Sequence, residues 1–422
     1  MNILVLGSGG RESAVVQALS KPGRTVYALP GNGGIEHCLP GSVMDKAAVL
    51  QACRKNSISF CVVTPDDPLA IGMCDYLEAN GIPCFGPGQK AARIESSKAF
   101  SKALMKKYGI PTAEAEVFSD LSQALDYIHN LKSFPAVIKA DGLALGKGVV
   151  IARTAAEAEE ALRQMMEEGR FGEAGRTVVI EEFLTGPEVS VLSFTDGRTI
   201  VPMVSSMDHK RAWDDDRGPN TGGMGTVAPN PYYTPDIAAE CMERIFLPTI
   251  RAMESEGCPF SGCLYFGLML TEQGPKVIEY NARFGDPETQ VVLPLLESDL
   301  LKIMTACRNG TLAEEEVRFS SDSACCLVLA SKGYPGPYEK GREITADPGI
   351  RSSVMIAGAC MKDGRLVTSG GRVLGLVAKA KDLKSAVDQV YSDCDRIHFD
   401  GKQYRKDIGA KALEAYGIQN LR

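Results

Sequence analysis

Two lysines and three glycines lie close together in KADGLALGKGVV, residues 139–150. Glycines expose backbone N–H groups and let the backbone approach a bulky anion closely. Lys139 and Lys147 bring two ammonium groups to the same loop, so the segment suits a polyphosphate. The Walker spacing G-x-x-x-x-G-K-[ST] is absent, and the loop runs into a strand rather than a helix. A flexible β-hairpin with solvated lysines is the alternative for this loop considered alone.

The segment KVIEYN carries a carboxylate and an amide two residues apart, Glu279 and Asn281. Residues at this spacing face the same side of a strand. One carboxylate and one amide oxygen suit Mg²⁺, which takes few protein ligands and leaves places for water and phosphate oxygens. The pattern predicts a hairpin over residues 262–290 that turns at residues 272–275. A surface strand with outward polar positions is the alternative, and the lysines of the glycine-rich loop favour the metal.

Residues 176–194 predict two further strands with polar side chains between them. The first strand ends in Glu181, Glu182, Phe183 and Leu184, which offer backbone groups to an adenine and carboxylates nearby. Glu188, beyond a Thr-Gly-Pro turn, can accept hydrogen bonds from ribose hydroxyls. An amphipathic surface hairpin with charged tips is the alternative.

The first hundred residues alternate strand and helix, which predicts a doubly wound α/β domain. Its first loop, GSGGRES, fails the dinucleotide fingerprint because Glu12 replaces the third glycine and the second strand ends without an acid. The Gly9–Gly10 turn is either structural or a place for a phosphate or sugar at a helix N-terminus. Asp66 follows another strand and is either a helix cap or a hydroxyl acceptor.

The connecting segments position these motifs. Residues 96–135 predict a helical connection in which Lys98 opens the first helix, and Thr154 with Glu157 predicts a capping box at a later helix. Residues 208–225, DHKRAWDDDRGPNTGGMG, show no periodicity and mix basic residues with three consecutive aspartates and four glycines. A loop of this length is usually functional or mobile.

The composition is that of an ordinary globular protein with several domains. The chain has 422 residues, of which 44% are hydrophobic and 23% charged, and a net charge of −7. An acidic chain of this kind excludes a broad nucleic-acid footprint, and no apolar run reaches membrane-spanning length. Thirteen cysteines without C-x-x-C pairs or histidines at zinc spacing predict reduced thiols in the cytoplasm.

Four motifs in order resemble those of one family. KADGLALGKGVV, VVIEEFLTGPEVS, DHKR with GPNTGGMG, and VIEYNARFGDPETQ are similar to motifs of the phosphoribosylamine–glycine ligases, a family of ATP-grasp enzymes also called glycinamide ribonucleotide synthetases. The resemblance extends from GSGGRE through GGRV (370–373) to YRKDIG (404–409), which is essentially the whole chain. GPNTGGMG and NARFGDPETQ are the most specific segments.

The resemblance implies an α/β and α+β multidomain fold. An N-terminal doubly wound parallel sheet would hold the sugar phosphate, an ATP-grasp lid would carry the glycine-rich loop, and a central ATP-grasp domain would carry the metal hairpin. A C-terminal α+β domain would include strands around 322–330, 354–360 and 372–379. The expected boundaries are 1–100 for the N-terminal domain, 101–135 for the helical connection, 136–195 for the lid, 196–320 for the central domain and 321–422 for the C-terminal domain.

The resemblance also assigns roles to individual residues. Those expected to bind ATP are Lys98, Lys139, Lys147, Glu181, Glu182, Phe183, Leu184, Glu188, Arg211 and Asn220. Those expected to bind Mg²⁺ or Mn²⁺ are Glu279 and Asn281. Those expected to act in catalysis are Arg283, Asp208 and Lys147. Those expected to bind the other substrates are Gly9, Gly10, Asp66, Asp208, Arg283 and Asp286.

The implied reaction joins glycine to 5-phosphoribosylamine with ATP and yields glycinamide ribonucleotide, ADP and phosphate in de novo purine synthesis. A carboxylate is a poor acyl donor, so ATP would first convert glycine to glycyl phosphate, which the sugar amine attacks. Positioned cations and a dry site serve this chemistry, and no protein nucleophile is needed. A cytoplasmic monomer or homodimer without nucleic-acid or membrane partners is expected.

Three positions depart from the family pattern. Ser13 and Ile356 stand where the family commonly has histidine, and Asp66 stands where glutamate is frequent. Two alternatives for function remain at this point. One is an ATP-grasp ligase for a different acid and amine, and the other is a non-enzymatic nucleotide-binding protein, against which the intact Lys139, Lys147, Glu279 and Asn281 argue.

Overall fold

The N-terminal part of the chain is a parallel sheet flanked by helices. The computed structural model describes residues 1–143 and 148–418. The first elements are β1 Asn2–Gly7, α1 Gly10–Leu19, β2 Thr25–Pro30, β3 His37–Cys38, α2 Lys46–Lys55, β4 Ile58–Val63, α3 Asp66–Ala70, α4 Met73–Ala79, β5 Cys84–Phe85 and α5 Gln89–Ser96. The strand order is β3-β2-β1-β4-β5 with parallel pairing, so the predicted doubly wound domain is confirmed. Its order reverses between β1 and β4, where ligands bind in such sheets.

A helix and a four-stranded antiparallel sheet follow. They comprise α6 Lys98–Tyr108, β6 Ala115–Phe118, α7 Leu121–His129, β7 Ala136–Ala140, β8 Val149–Ala152, α8 Ala155–Met166, a 3₁₀ turn at Gly172–Gly175 and β9 Val178–Glu182. The strand order is β6-β9-β7-β8. Thr154 accepts from the Glu157 N–H at 3.2 Å, while Glu157 accepts from the Arg153 N–H at 2.7 Å, which closes the predicted cap of α8.

The lid sheet therefore has different limits from the expected 136–195. It begins at residue 115, inside the expected helical connection, and ends at residue 182. The sequence does not predict the strand β6, because AEVF has only four residues, which is too short to show a clear apolar–polar alternation, and none of them is buried. Its four paired positions opposite β9 supply the pairing that the local pattern does not reveal.

The central region holds the metal hairpin. Its elements are β10 Glu188–Asp196, β11 Ile200–Pro202, β12 Met207–Asp208, β13 Arg211–Trp213, β14 Arg217–Asn220, β15 Gly225–Ala228, α9 Pro235–Cys241, a π turn at Met242–Phe246, α10 Leu247–Ser255, β16 Ser261–Thr271, β17 Gly274–Asn281, α11 Thr289–Val292, a 3₁₀ turn at Leu293–Leu295, α12 Leu300–Asn309 and a 3₁₀ turn at Leu312–Glu314. The sheet order is β11-β10-β16-β17. The predicted hairpin turns at residues 272–273, and residues 208–225 contain a short hairpin, β13–β14, rather than only irregular loop.

The C-terminal elements share a sheet with the central region. They are β18 Ser323–Ser331, β19 Thr345–Ala346, β20 Ser353–Ile356, β21 Ala359–Lys362, β22 Arg365–Thr368, β23 Arg372–Ala380, α13 Leu383–Cys394, β24 Ile397–His398, β25 Lys402–Gln403 and α14 Ala410–Ala415. The strand order is β12-β15-β18-β23-β20, with β25 on β18. Both ends of residues 208–225 are thus built into the C-terminal sheet through β12 and β15.

The buried apolar clusters follow the division of the chain into these sheets. The lid has its own apolar cluster, which includes Ile138, Leu162 and Ile180, whereas the N-terminal and central sheets share a larger one. A separate cluster lies under the C-terminal sheet. Among the described helices, none combines the length and apolar character that crossing a bilayer requires.

Candidate functional site

A cleft opens between α6, the lid and the β17 strand of the central sheet. The described residues that line it include Glu95, Lys98, Lys102, Lys139, Gly142, Glu181, Glu279 and Asn281. Five of these, Lys98, Lys139, Glu181, Glu279 and Asn281, were predicted as site residues from sequence. Glu95 and Lys102 were not.

Glu181 is buried between two lysines. Its Oε2 atom lies 3.0 Å from the Lys139 Nζ and 3.2 Å from the Lys102 Nζ, and only 4% of the residue is exposed. Lys139 also donates to the Ile278 carbonyl at 3.0 Å, which links the lid to β17. The other carboxylate oxygen, Oε1, is buried without a hydrogen-bond partner. Because Glu181 lines the cleft, Oε1 is an acceptor that the amino group of a bound molecule can satisfy.

Lys102 completes this cluster from α6. It donates to the Thr112 hydroxyl at 2.8 Å and to the Ala113 carbonyl at 3.1 Å. Burial lowers its pKa to about 8, against the opposing effect of Glu181. Its sequence signal was its position four residues after Lys98, which places both lysines on one face of the helix.

The glycine-rich loop is anchored to the N-terminus of α6. Asp141 accepts from the Ala99 N–H at 3.0 Å and from the Ser97 hydroxyl at 3.3 Å. Lys98 donates to the Gly142 carbonyl at 2.8 Å. Burial lowers the pKa of Lys98 and the neighbouring Lys139 adds to that shift, while Glu279 opposes it. Gly146 and Lys147 lie outside the described residues, so the role of Lys147 stays a prediction.

The predicted adenosine strand is β9 and the residues after it. Glu182 accepts from the Glu114 N–H at 3.0 Å and pairs with Lys276 at 3.1 Å, so its side chain ties the lid to β17. Phe183 is exposed and Leu184 is half-buried. The exposed Glu188 pairs with the Lys210 ammonium at 3.1 Å.

Arg211 and Asn220 face each other across β13 and β14. The Arg211 guanidinium donates to the Gly218 carbonyl at 2.8 Å, within its own hairpin. Neither residue is among the described residues that line the cleft. Their expected contact with ATP therefore stays a prediction. The ammonium of Lys210, in the same segment, lies 3.8 Å from the Glu279 carboxylate in the cleft.

Glu279 and Asn281 both line the cleft, as their spacing predicted. Desolvation raises the pKa of Glu279, but Lys210, Lys139 and Lys98 outweigh it and the net shift is downward, so the carboxylate is ionised. An ionised carboxylate beside an amide oxygen fits a hard divalent cation. Within residues 1–143 and 148–418, no cluster of three or more His, Cys, Asp and Glu side chains could hold a metal. A cation at Glu279 and Asn281 thus needs further ligands from phosphate or water.

Arg283 extends from the end of the metal strand toward Glu95. Its Nη2 lies 2.9 Å from the Glu95 carboxylate and 3.3 Å from the Asn281 amide oxygen. Glu95 also accepts from the Ala282 N–H at 2.7 Å. Glu95 lies almost 190 residues before Arg283 in the chain, so no local sequence pattern indicates this ion pair.

The buried Nε of Arg283 has no hydrogen-bond partner. Asp66 begins α3 and accepts from the Asp67 N–H at 3.1 Å. Its charge is close enough to influence the pKa values of both Glu95 and Arg283. The capping position itself belongs to Pro65.

The first glycine loop packs against the segment that carries Asp286. A Cβ atom on Gly10 would lie 2.5 Å from the Gln290 amide nitrogen, and one on Gly9 would lie 3.0 Å from an Asp286 oxygen. These glycines therefore permit close approach. The Gly9 N–H donates to Glu12 at 2.5 Å, so the Glu12 carboxylate already takes one of the N–H groups that the helix N-terminus could offer to a phosphate.

Arg372 supports the other side of Asp286. It donates to the carbonyls of Gly222 and Asp286 at 2.7 and 2.8 Å, and it lies 3.3 Å from the Asp286 carboxylate. Two of the family departures meet nearby, since the Ser13 hydroxyl donates to the Ile356 carbonyl at 2.5 Å. Arg372 belongs to the GGRV segment, but sequence alone gave it no role.

Asp208 lies near a second carboxylate, Glu288. Desolvation and then the charge of Glu288 raise the pKa of Asp208 well above its usual range. Its Oδ1 accepts from the His209 N–H at 2.7 Å. A carboxylate with a raised pKa is a stronger base than an ordinary aspartate, and the catalytic role of Asp208 stays a prediction.

His209 is buried and neutral. Its Nε2 accepts from the Gly409 N–H at 3.3 Å, so Nδ1 carries the proton and donates to the Gly225 carbonyl at 3.1 Å. Burial and then the nearby Arg405 lower its pKa from 6.5 to about 4. A base whose pKa falls on folding binds its proton better in the unfolded chain, so stability decreases as the pH falls from 6.5 toward 4.

We expect His209→Gln to reduce this acid sensitivity. At pH 5 the unfolded chain binds a proton at this histidine and the folded protein largely does not. His209 alone should therefore lower the free energy of unfolding by about 2 kcal/mol between pH 7 and pH 5. Urea unfolding at both pH values measures the difference for the native protein and the variant. His398→Gln, at an exposed histidine paired with Asp347, is the matched control. An equal pH response in His209→Gln and the native protein would contradict the assignment.

Comparisons with known proteins agree with this geometry. Three family models match consecutive parts of the chain: the phosphoribosylglycinamide synthetase N domain over residues 1–95, its ATP-grasp (A) domain over residues 96–289 and its C domain over residues 324–411. A phosphoribosylamine–glycine ligase of Caldanaerobacter subterraneus subsp. tengcongensis is 45% identical over 416 residues, which cover 97% of this chain and 100% of that protein. One from Halalkalibacterium halodurans is 44% identical over 427 residues, with 100% and 99% covered.

Longer and more distant proteins also match. The human trifunctional purine biosynthetic protein adenosine-3 is 44% identical over 424 residues, which cover 97% of this chain and 42% of that protein. The crystal structure of a Thermotoga maritima phosphoribosylamine–glycine ligase has a TM-score of 0.85 at 36% identity, covering 97% of this chain and 100% of that one. A biotin carboxylase domain of Hydrogenobacter thermophilus, crystallised with MgADP, ADP and bicarbonate, has a TM-score of 0.74 at 16% identity and shares the fold.

Proposed function

The chain belongs to the phosphoribosylglycinamide synthetase family and ligates glycine to 5-phosphoribosylamine with ATP in de novo purine synthesis, and we propose that it does so through glycyl phosphate. In the first step the glycine carboxylate attacks the γ-phosphorus of ATP and ADP leaves. In the second the amine of phosphoribosylamine attacks the acyl carbon, and phosphate leaves. The products are glycinamide ribonucleotide, ADP and phosphate.

The observation that carries this proposal is the charge arrangement of the cleft. Lys98, Lys139 and Lys210 surround an ionised Glu279 beside the Asn281 amide. Fixed cations around a transferring phosphoryl group lower its barrier mainly by positioning and charge neutralisation. The same cleft offers glycyl phosphate a place between the lid and the central sheet, where closure would exclude water.

Adenosine is proposed to bind along the end of β9. The unpartnered Oε1 of Glu181 can accept from the adenine amino group, and the backbone from residue 182 to residue 184 lies at the exposed strand end. The ribose hydroxyls would be held by Glu188, whose carboxylate Lys210 holds in the structure.

The family implies Mg²⁺ or Mn²⁺, and Glu279 with Asn281 fits either cation. When bound, the cation would neutralise phosphate charge and orient the phosphoryl group. The protein itself keeps Glu279 ionised through its three lysines and holds the Asn281 oxygen beside Arg283. We also propose a cytoplasmic location, because thirteen cysteines in no disulfide-like spacing suit a reducing compartment.

The acceptor substrate is proposed to bind between the first glycine loop and the end of the metal strand. Arg283 would contact its phosphate, and Asp66 would accept from its ribose hydroxyls. Gly9, Gly10 and Asp286 would form the wall on the side of the N-terminal sheet. In its ionised form Asp208, which the raised pKa makes a stronger base, would accept the proton that the attacking amine loses.

We expect ADP formation to require both glycine and freshly made phosphoribosylamine. A coupled assay of ADP release, with each substrate omitted in turn, measures this requirement. Formate or bicarbonate in place of glycine serves as the control for ligases with other acids. Release driven by another acid, or release in the absence of glycine, would contradict the proposed chemistry.

A further inference from the structure

The segment YRKDIG, residues 404–409, is remote in sequence from the proposed nucleotide site. It contacts the residues around Lys210, which extends to that site. Arg405 is 1% exposed and has the largest fully buried side chain among the described residues. Its Nε and Nη2 donate to both oxygens of Asp407 at 2.7 and 2.6 Å. Its Nη1 donates to Asp216 at 2.8 Å and to the Arg211 carbonyl at 3.2 Å. Arg405 thus joins the C-terminal segment to the β13–β14 hairpin.

Each of the three consecutive aspartates of that hairpin has a partner, either in the C-terminal part of the chain or in the hairpin turn itself. Asp214 accepts from the Lys406 N–H at 2.8 Å. Asp215 donates its backbone N–H to Asp407 at 2.9 Å, and its carboxylate pairs with Arg217 at 3.2 Å. Asp216 pairs with Arg405 and with Lys411. Adjacent like charges repel, so a run of three is tolerated here because each residue has a partner.

The hairpin starts at the residue after Lys210. The Lys210 carbonyl accepts from both the N–H and the hydroxyl of Thr221 at 2.8 Å. Its ammonium lies 3.1 Å from Glu188 and 3.8 Å from Glu279. On the other side, the Gly409 N–H fixes His209, so the segment 404–409 contacts the residues on both sides of Lys210.

We propose that Arg405 is a positioning residue for the nucleotide site, holding the backbone around Lys210 so that its ammonium stands between Glu188 and Glu279. The guanidinium forms a planar fork that bridges two carboxylates and a carbonyl, and lysine cannot reproduce that geometry. The C-terminal segment thereby contributes to nucleotide binding without lining the cleft. This inference rests on the proposed function only in placing ATP in the cleft.

The test uses the full chain with Arg405→Lys, and Arg396→Lys as its control. Arg396 is an exposed arginine of the C-terminal region that donates to the Pro348 carbonyl. We expect calorimetry with MgADP to show about tenfold weaker binding for Arg405→Lys, a usual size for residues coupled in one network, and unchanged binding for Arg396→Lys. In turnover assays the KM for ATP should rise while the KM for glycine holds.

A double-mutant cycle separates positioning from general stabilisation. If Arg405 acts through Lys210, Arg405→Lys should have little further effect on MgADP affinity in a Lys210→Met background. Additive effects, or native affinity in Arg405→Lys, would overturn the proposal. If Arg405→Lys does not fold, Asp407→Asn is measured in the same cycle. MgADP binding needs neither glycine nor phosphoribosylamine. A native protein that binds MgADP but has no ligase activity would therefore refute the proposed function and leave the inference about Arg405 intact.

Discussion

Glu279→Gln is expected to reduce the turnover of ADP formation about 10³-fold, since a metal-bridged phosphoryl transfer loses several kcal/mol of charge stabilisation. Glutamine keeps the shape of the side chain and removes its charge. The fold should persist because β17 pairs along its length with β16 and its buried Tyr280 packs on Phe266. Melting temperature and far-ultraviolet circular dichroism test that expectation.

The same variant should change how nucleotide binding depends on the cation. In the native protein Mg²⁺ should strengthen ADP binding, because Glu279 repels the phosphates until a cation intervenes. In the Glu279→Gln variant the three lysines meet the phosphates without that repulsion, so metal-free ADP should bind at least as well and Mg²⁺ should add little. Glu272→Gln, at the exposed tip of the same hairpin, is the control. Normal turnover of Glu279→Gln at ordinary Mg²⁺ would place the metal elsewhere.

The sequence was informative where function depends on short contiguous motifs. The strand, glycine-rich loop and strand around Lys139, the pair Glu279 and Asn281, and the doubly wound N-terminal sheet each leave a local pattern of apolar alternation and turn residues. Residues within a strand or turn are positioned by the chain itself. Those parts of the fold could therefore be predicted.

Contacts between distant segments left no such signal. Arg283 pairs with Glu95, Glu182 of the lid pairs with Lys276 of β17, and Arg405 pairs with Asp216, which lies almost 190 residues earlier in the chain. Each is a pair of opposite charges that only the packing of separate domains brings together. The first strand of the lid sheet escaped prediction for the same reason, because β6 is recognisable chiefly by its pairing with β9.

Arg283→Lys is expected to weaken the apparent affinity for phosphoribosylamine roughly 10- to 100-fold, which is the cost of losing one charge-assisted hydrogen bond to a phosphate. The guanidinium already bonds Glu95, Asn281 and the Phe284 carbonyl, yet its buried Nε lacks a partner. A phosphate oxygen would satisfy that donor. It would also bring the sugar amine close to the metal strand, where glycine is activated.

The competing interpretation is that Arg283 only braces the loop through Glu95. Lysine offers one ammonium in place of a planar fork, so it cannot bond Glu95, Asn281 and Phe284 together. Under that interpretation the affinities for ATP, glycine and phosphoribosylamine should weaken together, and the melting temperature should fall. Under a phosphate contact only the phosphoribosylamine affinity should change, with ATP and glycine constants close to native.

Arg372→Lys is the matched variant, because Arg372 holds the same segment through the Asp286 carbonyl and carboxylate. It contacts the Asp286 carboxylate that the first glycine loop also approaches, so it is a second fixed cation that a sugar phosphate could meet. Steady-state constants for all three substrates, measured in both variants at one ionic strength, decide between the two arginines. A selective loss of phosphoribosylamine affinity in Arg372→Lys, with native constants in Arg283→Lys, would move the phosphate from the metal strand to the C-terminal sheet.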